Sequence, residues 1–338
     1  YNPQNVLITG GCGFIGSHVV CLLVKQHPTK KFINFDCLDY CARSKNLSEI
    51  KGVENYKFIK GNILSLDLLN YVIKTENIDT IMHFAAQSHV DASFGNSLHF
   101  TQTNVLGTHT LLEAAKVNNI KRFIHVSTDE VYGEAAYKDE AAKEEMILNP
   151  TNPYAASKAA AEFIVKSYYK SWGLPIIITR GNNVYGPRQY PEKLIPKFIH
   201  RLHKGLPCCI HGDGSNKRSF VHVDDVARAF DIILHNGEIG ITYNIGIDEE
   251  ISNLDVAYTL IDIMGLSEEK EKYIEFFPDR KINDQRYHIT TNKMEELGWK
   301  PKISWKEGIK QTVDWTIQNL DYFGNIETVL SPHPKVRL

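Results

Sequence analysis

At 338 residues the chain is long enough for one large core or a core with an appended lobe, since single cores stop growing at roughly 250 to 300 residues. Hydrophobic residues make up 43% and charged residues 23%, with a formal net charge of -2. This composition excludes a disordered chain and lacks the basic excess of a nucleic-acid-binding module.

Short apolar runs rich in β-branched residues occur at Asn5 to Thr9, Lys31 to Asp36, Tyr56 to Lys60, Thr80 to Phe84, Arg122 to Ser127 and Pro175 to Thr179. Longer helical patterns alternate with them. Such alternation predicts parallel βαβ units, whose strands are buried on both faces and so read as continuous apolar runs. After Gly181 the pattern breaks up, punctuated by Pro187, Pro191, Pro196 and Pro207. The expected fold is α/β: a Rossmann-type doubly wound parallel sheet with a smaller mixed α/β substrate-binding lobe. Residues 1–180, with the chain returning at about 219–247, would form the dinucleotide-binding domain, and residues 181–338 mainly the second lobe. Ligands of such sheets bind at the carboxyl ends of the strands.

No run approaches the ~18 continuous apolar residues of a membrane-spanning helix, and Val6-Leu7-Ile8-Thr9 is too short for a signal peptide. The expected address is cytoplasmic. Cys12, Cys21, Cys37, Cys41, Cys208 and Cys209 include no Cys-x-x-Cys pair and no His partner at zinc-like spacing, so reduced thiols and no metal are expected.

The first run leads into Gly10-Gly11-Cys12-Gly13-Phe14-Ile15-Gly16, followed by a helical pattern through Val24. Glycines 10, 13 and 16 let the backbone turn tightly and approach a pyrophosphate, which the free N–H groups of the helix start attract. Asp36 lies 20 residues beyond Gly16, at the end of the second run, where a carboxylate accepts from both ribose hydroxyls and repels a 2'-phosphate. The pattern therefore predicts NAD rather than NADP. Asn62 and Ile63, after the third run, are candidates for the adenine side of the same site.

Tyr154-Ala155-Ala156-Ser157-Lys158 falls in a helical pattern from Pro153 to Trp172, which puts Tyr154 and Lys158 one turn apart on one face. An ammonium beside a phenol is expected to lower its pKa and make it a base. Together with the glycine loop, this pair resembles the extended short-chain dehydrogenase/reductase family over nearly the whole chain. The resemblance implies that Tyr154 takes a substrate hydroxyl proton, that Lys158 also holds the nicotinamide ribose, and that Thr128 bonds the substrate hydroxyl.

Ser127-Thr128-Asp129-Glu130-Val131-Tyr132-Gly133 places two adjacent carboxylates at a strand's carboxyl end. Like charges so close split their pKa values, leaving one an acid and the other a base. That suits an elimination: once C4 of a glucose is a ketone, Glu130 removes the acidified C5 hydrogen while Asp129 protonates the departing C6 hydroxyl. Hydride return to C6 then gives a 4-keto-6-deoxy sugar and regenerates a tightly held NAD.

The run resembles that of dTDP-glucose 4,6-dehydratases, as do Ala85-Ala86-Gln87-Ser88-His89-Val90-Asp91, Asn182-Asn183-Val184-Tyr185-Gly186-Pro187, Pro191-Glu192-Lys193-Leu194-Ile195-Pro196 and Gly212-Asp213-Gly214. The resemblance implies Ala85 and Ala86 at the cofactor, and Ser88, Asn183, Lys193, Arg218, Asn244 and Arg280 around a nucleotide sugar. It also implies a homodimer, through a four-helix bundle built from the patterns Phe100 to Val117 and Pro153 to Trp172. Both patterns carry more apolar positions than one sheet face covers. Two positions depart from the family: Lys281-Ile282-Asn283-Asp284 replaces Pro-Gly-His-Asp, and Cys37 replaces Lys or Asn. The nucleotide base, dTDP or UDP, stays open. An epimerase or UDP-glucuronate decarboxylase of the same family is the alternative, against which Asp129 argues; a non-catalytic NAD-binding protein is the more remote one.

Overall fold

The computed structural model describes residues 1–134, 141–279 and 282–332. Strands β1 (Asn5–Thr9), β2 (Lys31–Asp36), β3 (Tyr56–Lys60), β4 (Thr80–His83), β5 (Arg122–Thr128) and β6 (Ile176–Gly181) run through the first half of the chain. The second half adds β7 (Asn183–Tyr185), β8 (Cys208–His211), β9 (Lys217–His222), β10 (Thr242–Ile245), β11 (Glu250–Ser252) and β12 (Ile274–Phe277). Seven of these form one sheet in the order β10-β6-β5-β4-β1-β2-β3, and every neighbouring pair is parallel. The central strands β1, β4 and β6 are buried almost throughout, as expected of runs such as Val6-Leu7-Ile8 and Ile176-Ile177-Ile178. The strand order reverses beside β1, between β2 and β4, and a ligand crevice opens at such a switch point.

Helices Phe14–Gln26 and Val223–Asn236 cover one face of the sheet through Val19, Val20, Leu23, Phe230 and Ile233. Helices Leu66–Thr75, Gly107–Val117 and Pro153–Trp172 cover the other through Leu69, Val72, Leu111, Leu112 and Val165. The smaller lobe carries a three-stranded sheet β11-β9-β7 and the parallel pair β12-β8, packed by helices Leu194–His203, Asn253–Ile263 and Trp305–Gln318 around Phe198, Ile199, Leu260 and Ile309. The fold is thus α/β, a Rossmann-type sheet with a mixed second lobe.

Two helices differ in regularity. Pro153–Trp172 is uninterrupted: Asn152 caps it by accepting from Ala155 N at 2.9 Å, proline follows in the first turn, and Gly173 ends it in the left-handed conformation at φ 66°. The pattern read as one helix from Phe100 to Val117 instead contains a π-helical segment, Thr101–Leu106, between helices Ser97–Phe100 and Gly107–Val117. In that wide turn Asn104 is fully enclosed. Its Nδ2 donates to Gln87 O and to Ser157 Oγ, both at 2.9 Å, and its Oδ1 accepts from Gln87 N at 2.8 Å.

Candidate active site

A cleft of about 770 Å³ opens at the carboxyl ends of the strands, between the sheet and the smaller lobe. Its first wall is the loop after β1. Gly10 has φ +74°, and a Cβ there would stand 2.5 Å from Ala85 N; one on Gly16 would stand 2.4 Å from Gly10 O. Both positions therefore require glycine. Helix Phe14–Gln26 starts from Gly13 with no side-chain cap and no acidic residue in its first turn, which leaves its N–H groups and dipole available to an anion.

Asp36 ends β2 within the cleft. Its Oδ2 accepts from Cys12 N at 2.9 Å and its Oδ1 from Leu38 N at 2.7 Å. Burial raises its pKa, and these two backbone donors oppose the shift. Asn62 also lines the cleft, with its Oδ1 turned back to accept from Leu64 N at 2.9 Å, and Ile63 stands beside it.

The candidate reacting groups come from β5 and helix Pro153–Trp172. Thr128 caps the short turn Asp129–Tyr132, and Tyr154, Lys158 and Glu162 follow one another at helical spacing. Glu162 forms a wholly buried ion pair with Arg180 of β6, and Arg180 also donates to Tyr132 OH at 2.8 Å. This pairing ties the helix and the carboxylate turn to the sheet.

Asp129 is 1% exposed. Asn182 Nδ2 donates to its Oδ2 at 2.7 Å and Thr128 Oγ1 to its Oδ1 at 3.2 Å. Burial, and then the neighbouring Glu130 carboxylate, push its pKa up to about 7, against the opposing donors. Glu130 lines the cleft, where Asn152 Nδ2 donates to its Oε2 at 3.1 Å. Burial raises its pKa too, but Asn152, Lys193 and Arg218 all favour its ionised form. The two carboxyls thus sit in different surroundings, one closed against its neighbour and one facing cations.

The expectation that Lys158 would lower the Tyr154 pKa is not met. Lys158 Nζ donates to Val126 O at 2.6 Å, and burial lowers its pKa to about 8 against the pull of Glu162. The Tyr154 phenol is pushed up, first by burial and then by Glu130 and Asp129, with the Thr128 hydroxyl opposing. Helical spacing brings Lys158 to the right face, but its nitrogen is spent on the β5 backbone.

Gly10, Gly13, Phe14, Ile15, Gly16, Asp36, Asn62, Ile63, Ala85, Ala86, Ser88, Thr128, Glu130, Tyr154, Lys158, Asn183, Lys193 and Arg218 all line this one cleft. Lys193 Nζ donates to Ser88 O at 2.6 Å, and the Arg218 guanidinium lies 4.6 Å from the Tyr287 ring centroid. Asn244 must be corrected. It is fully buried and away from the cleft, accepting from Tyr132 OH at 2.7 Å and donating to Ala142 O at 3.1 Å, so its role is to hold the turn after β5. Arg280 lies outside the described residues.

Sequence reasoning missed two asparagines. Asn152 was visible as a cap before Pro153, yet nothing announced that the same amide reaches Glu130. Asn182 meets Asp129 across 53 positions of chain, a contact only the β5–β6 pairing creates.

The sequence matches the GDP-mannose 4,6 dehydratase family over residues 7–312. The chain belongs to that family. It is 52% identical to the trifunctional UDP-glucose 4,6-dehydratase/UDP-4-keto-6-deoxy-D-glucose 3,5-epimerase/UDP-4-keto-L-rhamnose-reductase of Arabidopsis thaliana, over 99% of this chain and 50% of that protein. The chain therefore spans about half the length of this relative. It is 46% identical to the dTDP-D-glucose 4,6-dehydratase of Homo sapiens, over 98% of this chain and 95% of that one. Among solved structures in the family, the dTDP-glucose 4,6-dehydratase DesIV of Streptomyces venezuelae, with NAD bound, superimposes with a TM-score of 0.90 at 39% identity, covering 95% of this chain and 99% of that one.

Proposed function

We propose that the chain is an NAD-dependent nucleotide-glucose 4,6-dehydratase, a hydro-lyase that converts dTDP-glucose or UDP-glucose into the 4-keto-6-deoxy sugar and water. The observation that carries this reading is the Asp129–Glu130 pair at the end of β5, joined by Thr128 to the cleft that Tyr154 and Lys158 line. An epimerase has no use for a carboxylic acid beside a carboxylate at this place. In this reading residues 1–180, with the return at about 219–247, hold the dinucleotide, and residues 181–338 hold most of the nucleotide sugar.

The glycine cradle, the uncapped helix start and Asp36 suit a dinucleotide with an unphosphorylated ribose. Bound NAD supplies a reversible acceptor for the C4 hydride, which is returned at C6. Tyr154 takes the C4 hydroxyl proton, with the Thr128 hydroxyl as the neighbour that favours its phenolate. Glu130, whose carboxylate Lys193 and Arg218 favour against the burial that raises its pKa, removes the C5 proton and later gives it back. Asp129, with a pKa near 7, holds a proton to give to the departing C6 hydroxyl. Its contact with the cleft-lining Thr128 hydroxyl is its link to the substrate. Lys193 and Arg218 neutralise the diphosphate. The carboxylate pair removes water while hydride is out and back, with no net oxidation.

Purified protein incubated separately with dTDP-glucose, UDP-glucose and GDP-mannose should yield, from a glucose nucleotide, a product lighter by one water on mass spectrometry. No such product from any of the three would overturn the reading.

The proposal includes a cytoplasmic homodimer. Among the described residues no helix is long and apolar enough to cross a membrane, and all six cysteines are free thiols. Leu106 is 52% exposed, Phe163 60% and Trp172 56%, all on the helices expected to form the four-helix bundle. Such a surface suits burial against a second copy. Phe163→Glu should shift the sedimentation coefficient from dimer to monomer at micromolar concentration; an unchanged value would place the interface elsewhere.

A further inference from the structure

At the amino-terminal end of the sheet, away from the cleft, two helices end side by side. His27 caps the carboxyl end of helix Phe14–Gln26, and Asp231 and His235 stand one turn apart near the end of helix Val223–Asn236. His27 Nε2 lies 2.8 Å from Asp231 Oδ1, and His235 Nδ1 lies 3.2 Å from the same oxygen. The imidazole centroids are 4.7 Å apart with the rings tilted by 38°, so neither ring stacks flat on the other. One ligand atom from each residue falls within 4.8 Å of the others, and each side chain is 22% exposed, enclosed but open to solvent on one side.

We infer that His27, Asp231 and His235 form a binding site for a divalent transition-metal ion of the Zn²⁺ class, which clasps the ends of these two helices together. Two imidazoles and a carboxylate make a borderline donor set that suits Zn²⁺ or Co²⁺ better than Mg²⁺ or Ca²⁺. Zinc bonds of about 2.0 to 2.2 Å in a tetrahedron put ligand atoms about 3.3 Å apart, so the two contacts to Asp231 open by only a few tenths of an ångström to admit the ion. The fourth position is left for water. Two helix carboxyl ends meet here, and their dipoles favour a cation. Burial pushes Asp231 up, but the bonds from His235 and His27 outweigh it and hold the carboxylate ionised.

The surroundings also set what opposes the metal. Lys30 Nζ donates to His235 Nε2 at 2.6 Å, which keeps the ring proton of a neutral His235 on Nδ1, the atom a metal needs. Binding moves that proton to Nε2, and Lys30 must then release the ring. Arg122 lies on the carbonyls of Ile233 and Leu234, which adds positive charge nearby. Lys30 is thus the charged competitor for the site, beside the Asp231 carbonyl, which lies 2.9 Å from His235 Nδ1 and must also give it up. The cluster escaped sequence reading because His27 and Asp231 are 204 positions apart, and Asp231 and His235 alone are an ordinary i, i+4 helical pair.

The clasp acts at the far end of the helix whose start faces the proposed pyrophosphate. It holds that helix without touching the reacting groups, so metal binding and turnover can be measured separately. Cofactor-loaded protein, stripped with EDTA and desalted, is titrated with Co²⁺ as the spectroscopic stand-in for Zn²⁺. The expected result is one Co²⁺ per chain, with the visible bands of a four-coordinate site, displaced by Zn²⁺. Affinity should fall at least tenfold in His235→Gln and Asp231→Ala and rise several-fold in Lys30→Met. Zn²⁺ should raise the unfolding midpoint of the unsubstituted protein but not of His235→Gln, whose dehydratase turnover should be unchanged. Absence of saturable Co²⁺ binding, equal affinity in His235→Gln, or a spectrum dominated by thiolate-to-cobalt charge transfer would each overturn the site. Should the two ligand variants fail to fold, Lys30→Met still decides it: affinity no higher than in the unsubstituted protein would also overturn it.

Discussion

Glu130→Gln should lower turnover by at least about a hundredfold yet still reduce bound cofactor when mixed with substrate, whereas Tyr154→Phe should reduce none. The substitutions act on different protons. Glutamine fills the same space and can still accept from Asn152 through its amide oxygen, so the cleft keeps its shape while the base for C5 is gone. Phenylalanine keeps the edge contact with the Phe100 ring, 6.3 Å between centroids, but removes the oxygen that receives the C4 hydroxyl proton. Absorbance of reduced nicotinamide after a single mixing, and deuterium entering C5 from heavy water, separate the two. Deuterium entry at the normal rate in Glu130→Gln would remove Glu130 from its role. Hydride transfer at the normal rate in Tyr154→Phe would do the same for Tyr154.

Asp129→Asn should make the protein more stable and nearly inactive. The Asp129 pKa, pushed up to about 7, lies above its unfolded value of about 3.9, so the folded state binds more protons across that interval. Stability from this group is therefore lost as pH rises from about 4 to about 7 and changes no further above that. Asparagine carries no charge to bury, can still accept from Asn182 and can donate to the Thr128 hydroxyl. The variant should thus gain on the order of a few kcal/mol over the native sequence at pH 8, with the gap closing toward pH 4. Paired denaturant titrations at the two pH values measure it. A gap that is equal at both, or that grows as pH falls, would show that Asp129 is not held protonated. The missing acid should cost about a hundredfold or more in turnover, a trade of stability against activity at one residue.

The fold was legible because its signal is local. Val6-Leu7-Ile8 or Ile176-Ile177-Ile178 is buried on both faces whichever strands lie beside it, and the first three strand ranges coincide with their runs residue for residue. The glycine loop and Asp36 were legible for the same reason, since backbone demand at Gly10 and Gly16 leaves no other residue possible. What stayed hidden depends on partners far along the chain. Asn244 carries the right chemistry for a ligand, but Tyr132, Ala142 and Glu144 claim its polar atoms first. Lys158 stands at the right helical spacing, but where its nitrogen points is settled by a carbonyl on β5. Periodicity fixes which face a residue occupies; it cannot say which neighbour on that face wins.

The wide turn at Thr101–Leu106 carries a constraint on length. A π-helical turn holds one residue more than an α-helix fits into the same rise, and here that surplus residue lets Asn104 point inward to Gln87 and Ser157 while Leu111 and Leu112 still meet the sheet. Removing a single residue from Thr101 to Leu106 would restore a regular helix between the same two ends and take away the width that turns Asn104 inward. The leucines would still meet the sheet, but the bonds to Gln87 and Ser157 would be lost. Between Phe100 and Gly107 the exposed positions around Asn104 can exchange side chains, but the segment cannot be shortened without losing the inward asparagine.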